Sequence, residues 1–502
     1  MTTSRRTTAR RVELTLSAVA VAVVAALAFG AIPGDGSDGA LDTTVVETVP
    51  PASSPPATTA VTVPPTTVPP TTVPPTTVPS VVAQPVASPR RLEAWAAAVP
   101  GGAHPIGGAP VLATPDRVVT VDTSTTAQRW HGVGAALTDA SARLLADRDD
   151  AIATLFGDPT DGGAGLDLVR LPLSSTDFST DDWTWATTDD GVEPSPQAVA
   201  ALDVLDQIRD ADAGVGVYAA AWTSPSGLRT DPERRGGHLL DEGLADYGEL
   251  LLGQVETLLD RGVDLRAISL GNEPGHVGDY PTLGMTDEQM ITLADRVAEQ
   301  LDEFDVDLLA LDHNWSDAER AARLVASAPF DGVAFHCYDG VPADMALVDD
   351  PIVTECTATT GEWATSVGWM ARELVAESVR AGARGVLTWN LALDPQHGPK
   401  AAGGCDDCRG LITVDPTTGS IEPTPEFSVM RQLARAGDPG AAVVPTERID
   451  SMPIVAFSNP DGTVGVFGHN DSSESVTVEL VVDDVAPLRF VLDPWAVFSV
   501  RG

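Results

Sequence analysis

The chain has 502 residues, 43% of them hydrophobic, which is enough for a sizeable core and for more than one domain. With 72 acidic against 30 basic residues its formal charge is −42, which excludes nucleic acid as a partner and opposes docking on anionic lipid heads. Aromatics make up only 5%, so an aromatic at the end of a strand is not there by abundance.

Arg5, Arg6, Arg10 and Arg11 precede residues 14–32, which carry no charge. A run of about 19 apolar and small residues is near the length needed to span a bilayer, and its basic flank belongs on the cytoplasmic side. Residues 1–33 therefore read as a signal peptide or an N-terminal membrane anchor, and the protein as extracellular, secreted or held at the cell surface. Any membrane contact is expected through this segment alone. Residues 34–90 form a linker in which Val63-Pro64-Pro65-Thr66-Thr67 repeats through Pro79. Such sequence is extended and stiff and cannot build a core.

From Val118 the pattern becomes regular. Val118-Val119-Thr120-Val121 alternates like an edge strand. Apolar runs follow at 131–137, 166–173, 215–222, 265–271, 306–311, 332–338, 352–355 and 385–393. Helix-like segments at 138–156, 196–212, 243–261, 287–304, 317–328 and 366–381 separate most of them, and the connection at 341–350 is weak as a helix. This alternation predicts an α/β fold, a (β/α)8 TIM barrel over residues 91–436. An open doubly wound sheet would carry a Gly-rich dinucleotide turn after an early strand, and Gly132-x-Gly134 lacks the third glycine. Short alternating runs after residue 437, with the turn Asn459-Pro460-Asp461-Gly462, predict a small antiparallel β-sandwich over 437–502. The strand near 118–121 is expected to join it.

In a barrel of this kind chemistry sits at the C-terminal ends of the strands. Asn272-Glu273-Pro274 ends the fourth run and Thr354-Glu355 the seventh. Two carboxylates facing one another suit glycosidic cleavage, where one protonates the leaving oxygen and the other attacks, or activates water, at the anomeric carbon. Glu273 and Glu355 are therefore the candidate catalytic pair, with Asn272 placed to hold a sugar hydroxyl. Trp222, Tyr338 and Trp389 fall at strand ends, where aromatic faces stack on sugar rings at a partly exposed rim. Asp177 is a candidate grip on sugar hydroxyls, Arg170 a supporting charge, and His336 a hydrogen-bonding group on the face of Tyr338. No metal or organic cofactor is expected, and the chain is read as a monomer. The rival is a non-catalytic carbohydrate-binding protein on the same barrel; binding alone needs neither carboxylic acid.

Of four cysteines, Cys405 and Cys408 have C-x-x-C spacing without the second half of a zinc site, and a small loop-closing disulfide is the favoured reading. Cys337 and Cys356 end neighbouring strands and read as inert buried thiols in preference to a pair.

Taken in order, these motifs resemble glycoside hydrolase family 30, the glucosylceramidase-like β-glycosidases. Trp130-His131-Gly132-Val133-Gly134-Ala135-Ala136-Leu137-Thr138-Asp139 is similar to its first-strand signature. Arg170-Leu171-Pro172-Leu173 through Asp177-Phe178-Ser179 is similar to the second, Trp222-Thr223-Ser224-Pro225 to the third, and Trp389-Asn390-Leu391-Ala392-Leu393-Asp394 to the eighth. The resemblance implies a retaining mechanism on β-linked glucosides or related glycans or glycolipids. Glu273 would be the general acid/base, with a raised pKa, and Glu355 the nucleophile. Cys337, between His336 and Tyr338, departs from the family's usual aromatic, and the 403–408 insertion departs from the lysosomal enzyme.

Overall fold

Eight parallel strands close on themselves at the centre of the molecule. They are Gly132–Ala136, Leu168–Pro172, Gly216–Ala220, Leu265–Ser269, Asp307–Asn314, Gly332–His336, Pro351–Glu355 and Gly385–Leu393. Each pairs with the next, and the eighth pairs with the first. These are the eight runs expected from the sequence, so the (β/α)8 barrel stands. The computed structural model describes residues 91–502 apart from 108–110, 190 and 484. The N-terminal apolar run and the Pro/Thr linker lie outside the described residues, among which no helix is long and apolar enough to cross a membrane.

Strands covered on both faces read as continuous apolar runs instead of alternating ones. Val133, Val169, Val217, Ile268, Ala310, Val333, Val353 and Val386 are accordingly sealed from solvent. Gly134 has no room for a side chain, since a Cβ there would lie 2.1 Å from the Leu168 carbonyl oxygen of strand two. Among the helices, Asp287–Phe304 starts on a Thr286/Gln289 capping box and ends at Asp305 in a left-handed conformation. It buries Met290, Leu293, Ala294, Val297 and Leu301 at helical spacing. The segment expected as one helix over 138–156 is two, Asp139–Leu145 and Asp149–Phe156, divided where Asp147 turns to φ 57°. The weak sixth connection is a short 3-10 run, Pro342–Leu347.

The second core is a sandwich. Its larger sheet runs in the order Ala442–Val444, Ile454–Ser458, Val464–His469, Val497–Arg501, Glu93–Ala97, His104–Ile106, all antiparallel. The smaller holds Leu488–Leu492, Val476–Val482 and Arg117–Val121. The strand near Val118 therefore joins the sandwich as expected, but it pairs in parallel with Val476–Val482, so the sandwich is not wholly antiparallel. Glu93–Ala97 and His104–Ile106 also belong here, so the barrel does not start at residue 91. Glu-Ala-Trp-Ala-Ala has no β-branched residue to mark it as a strand. Between the two cores lies helix Pro425–Ala436, capped by Thr424 and buried all round. Arg435 on it stacks over Trp95 at 3.1 Å from the ring centroid.

Candidate active site

Strand four ends at Ser269, and the next residues are held between its neighbours. The Asn272 N–H donates to the Ala221 carbonyl at 2.8 Å and the Glu273 N–H to the Asp312 carbonyl at 2.9 Å. Glu273 itself is bent to φ 44°, directly before Pro274. A non-glycine residue in that region costs about 1–3 kcal/mol and persists where its surroundings over-determine it. The bend leaves the Glu273 side chain 13% exposed and facing the Glu355 side chain from strand seven. One carboxylate oxygen of each lies within 4.8 Å of the other, with a His336 nitrogen inside the same distance.

Beneath the pair is a buried ionic network. The Arg170 guanidinium on strand two donates to Glu355, to Asn272 Oδ1 at 2.7 Å and to Asp312 Oδ2 at 2.9 Å. Asp312 also accepts from Ser269 Oγ at 2.5 Å and from Thr354 Oγ1 at 2.7 Å. His336 bridges the two acids, with Nε2 3.1 Å from Asp312 Oδ1 and Nδ1 2.9 Å from Glu273 Oε1. The Tyr338 hydroxyl donates to Glu355 Oε1 at 2.9 Å. Asp312, with φ 53°, sits where strand five loses its register against strand six, and that irregularity turns its side chain into the barrel mouth.

The charges settle one another. Burial pushes the Asp312 carboxyl up, but the Arg170 cation and the His336 hydrogen bond hold it far below the usual carboxylate range. Burial would lower His336, yet the negative charges of Glu355, Asp312 and Glu273 push it up to about 9. Burial also raises Glu273, and there the hydrogen bond and charge of His336 win and lower it. The raised Glu273 that the resemblance implies is therefore not what this site favours: the pairing lowers Glu273 and raises His336. Glu273, His336 and Glu355 have the atoms of a metal-ligand cluster. Arg170 and Tyr338 already occupy Glu355, and both His336 nitrogens are engaged by Asp312 and Glu273, so these donor atoms are taken up within the network.

A cavity of about 470 Å³ opens above the pair, with Asp177, Trp222, Asn272, Tyr338, Trp389, Cys405 and Cys408 in its wall. Every sequence-predicted site residue is thus in the wall or bonded to the pair beneath it. The aromatic rim differs from expectation. Trp222 and Trp389 are only 2% and 3% exposed, because they stack on each other at 5.0 Å and Trp222 carries the Arg170 guanidinium at 4.5 Å. Tyr338 alone is open to solvent. Asp177 is buried behind the 394–409 loop, and burial, then the charge of Glu355, lifts it to about 7. Cys405 and Cys408 form the expected disulfide. Cys337 and Cys356, read as free thiols, are instead joined. A register shift sets His336 opposite Glu355, which brings the next residue of each strand face to face.

Sequence reasoning missed Asp312, and with it His276, Tyr280, His313 and Asn314 of the cavity wall. The signal for Asp312 was present: like Glu273 and Glu355, it is a carboxylate at the end of an apolar run.

Residues 130–433 match the model of the glycosyl hydrolase family 30 TIM-barrel domain. An endo-1,6-beta-D-glucanase of Neurospora crassa is 24% identical over 63% of this chain and 72% of its own length. The lysosomal acid glucosylceramidase of Mus musculus is 25% identical over 74% of this chain and 81% of its own. Among solved structures, SrfJ of Salmonella typhimurium superposes with a TM-score of 0.73 at 17% identity, covering 82% of this chain and 99% of that one. The chain belongs to glycosyl hydrolase family 30.

Proposed function

We propose that the protein is an exported retaining β-glycosidase acting on β-linked glucosides or related glycans by double displacement. The observation that carries this reading is the approach of Glu273 and Glu355 to within 4.8 Å. Retention works at a carboxyl separation of about 5–5.5 Å, whereas inversion needs roughly 6.5–9.5 Å to admit a water. Glu355, oriented by Arg170 and Tyr338, attacks the anomeric carbon while Glu273 protonates the leaving oxygen. Glu273 receives its proton when a sugar fills the cavity. Added burial raises its carboxyl from that lowered state, and the proton moves from His336 Nδ1 to Glu273 Oε1 along their 2.9 Å hydrogen bond. His336 keeps its Nε2 proton on Asp312. Once Glu355 is esterified, Glu273 takes a proton from water and the sugar is released with its original configuration.

Export is supported by the basic and apolar N-terminal sequence and by two disulfides, which persist in oxidising compartments. The test is turnover of aryl β-glycosides by the full chain beside Glu355→Gln, with the first-formed anomer read by NMR. Glu355-dependent release of the β anomer is expected. An inverted product refutes double displacement, and sugar binding without turnover in the wild type would make the protein a lectin on this barrel.

A further inference from the structure

Of 502 residues only residue 400 is a lysine, and it lies in the loop between strand eight and Gly410–Val414, beside the Cys405–Cys408 disulfide. Both cysteines line the active-site cavity, and so does Asp177. The loop is strapped to Asp177 through the backbone. The Ala401 N–H donates to the Asp177 carbonyl at 2.7 Å. A Cβ on Gly404 would lie 2.7 Å from that same oxygen, so a glycine is what lets the loop come this close.

The next residue, Cys405, is fixed at each of its groups. Its N–H hydrogen-bonds the Asp177 carboxyl. Its carbonyl accepts from Lys400 Nζ at 2.7 Å, and the same ammonium holds Asp406 Oδ1 at 2.5 Å. Its sulfur is tied to Cys408, which is buried against Phe178, Trp222 and Trp389. A link between residues three apart leaves the peptides inside it little freedom. The contact with Asp406 is exposed and worth little; what matters is that the ammonium also reaches a backbone carbonyl.

Asp177 is where such a fixed donor has an effect. Burial, then the charges of Glu355 and Glu273, oppose its ionisation, and its own charge reaches the phenols of Tyr280 and Tyr338. The Cys405 N–H and the Trp389 indole favour the charged form. An ionised carboxylate that accepts from both still has lone pairs for sugar hydroxyls.

We propose that Lys400 and the Cys405–Cys408 disulfide are positioning residues for Asp177: they keep the Cys405 N–H on its carboxylate and so hold it for a substrate hydroxyl. The inference rests on the glycosidase reading above and adds a loop clasp to that site.

Two variants open the clasp, Lys400→Met and the pair Cys405→Ser with Cys408→Ser, and each is combined with Asp177→Asn. Losing the Cys405 donor makes a charged Asp177 less stable. The gain in melting temperature from Asp177→Asn near pH 8 should therefore grow by about 2 °C or more in the double serine background, and should not grow near pH 4. On the aryl β-glycoside turned over best, the double serine variant should raise KM by about tenfold and Lys400→Met by about fivefold, with kcat within about threefold. Once residue 177 is asparagine, neither should raise KM by more than about twofold. Losses that multiply with Asp177→Asn, a fall in kcat as large as the rise in KM, or a melting difference independent of pH and of Asp177 would each overturn the inference and leave the clasp a fold-stabilising link. An inverted product, or no Glu355-dependent turnover, while melting still couples to Asp177, removes the glycosidase reading and keeps the clasp, so the two failures are distinguishable.

Discussion

Replacing Cys337 and Cys356 together with serine should disarm the nucleophile through Tyr338. Pairing between strands six and seven ends at His336 and Glu355, and the next residue of each strand is a disulfide cysteine. Tyr338, whose hydroxyl donates to Glu355 at 2.9 Å, follows Cys337 directly; its N–H donates to Asn314 Oδ1 at 3.0 Å and its ring meets His336 edge-on at 6.0 Å. A 19-residue separation between the cysteines gives about 3 kcal/mol of chain-entropy stabilisation, so the double serine variant should melt earlier yet remain folded at room temperature. A hydrogen bond to a charged group is worth about 1.5–3 kcal/mol, so losing the Tyr338 contact predicts a fall in kcat of roughly 10–100-fold. The assay is a double-mutant cycle on aryl glycoside turnover with Tyr338→Phe. If the disulfide acts through Tyr338, the phenylalanine change costs much less in the serine background than in the wild type, with a coupling of about 1 kcal/mol or more. Costs that simply multiply would refute this reasoning and leave the disulfide a fold-stabilising link alone.

Asp312→Asn removes the anion that Arg170 and His336 share in the barrel mouth. Breaking a buried pair costs about 3–5 kcal/mol, so a large drop in melting temperature and near-total loss of turnover are expected; a stable, active variant would show that Asp312 is dispensable. His336 is raised from its ordinary 6.5 to about 9, so its stabilising contribution is complete below about pH 6.5 and lost as pH climbs through about 9. The melting gap between wild type and His336→Gln should shrink across that window, and a gap independent of pH contradicts the assignment. Asp177 runs the other way. Its carboxyl is raised to about 7, so it increasingly destabilises the fold as pH rises from about 4 to about 7. Asp177→Asn should match the wild type near pH 4, melt higher near pH 8, and turn over more slowly; equal melting at both pH values would refute the shift.

Which features were legible in the sequence follows from which ones are set locally. Glu273 and Glu355 were readable because each ends an apolar run and a parallel barrel presents strand ends on one face. Asp312 ends such a run too, but the strand continues through it to Asn314 and shifts register on the way. A run cut at Leu311 leaves it looking like a loop carboxylate. The Cys337–Cys356 link depends on another register shift, between Phe335 and His336, and residue spacing cannot reveal one. The tryptophans were placed correctly and their exposure was not. Aromatics at a sugar site suggest an open rim, but Arg170 buried under that site needs covering, and Trp222 covers it. The Glu273 pKa was misjudged for a related reason. The expected rise followed from the mechanism the resemblance implies, with Glu355 as the one partner considered, whereas the folded site adds Asp312, whose charge helps raise His336. Composition and strand order therefore place acids at the mouth of this barrel, and irregular pairing in strands five and six sets Asp312 and His336 among them, where their contacts raise His336 and lower Glu273.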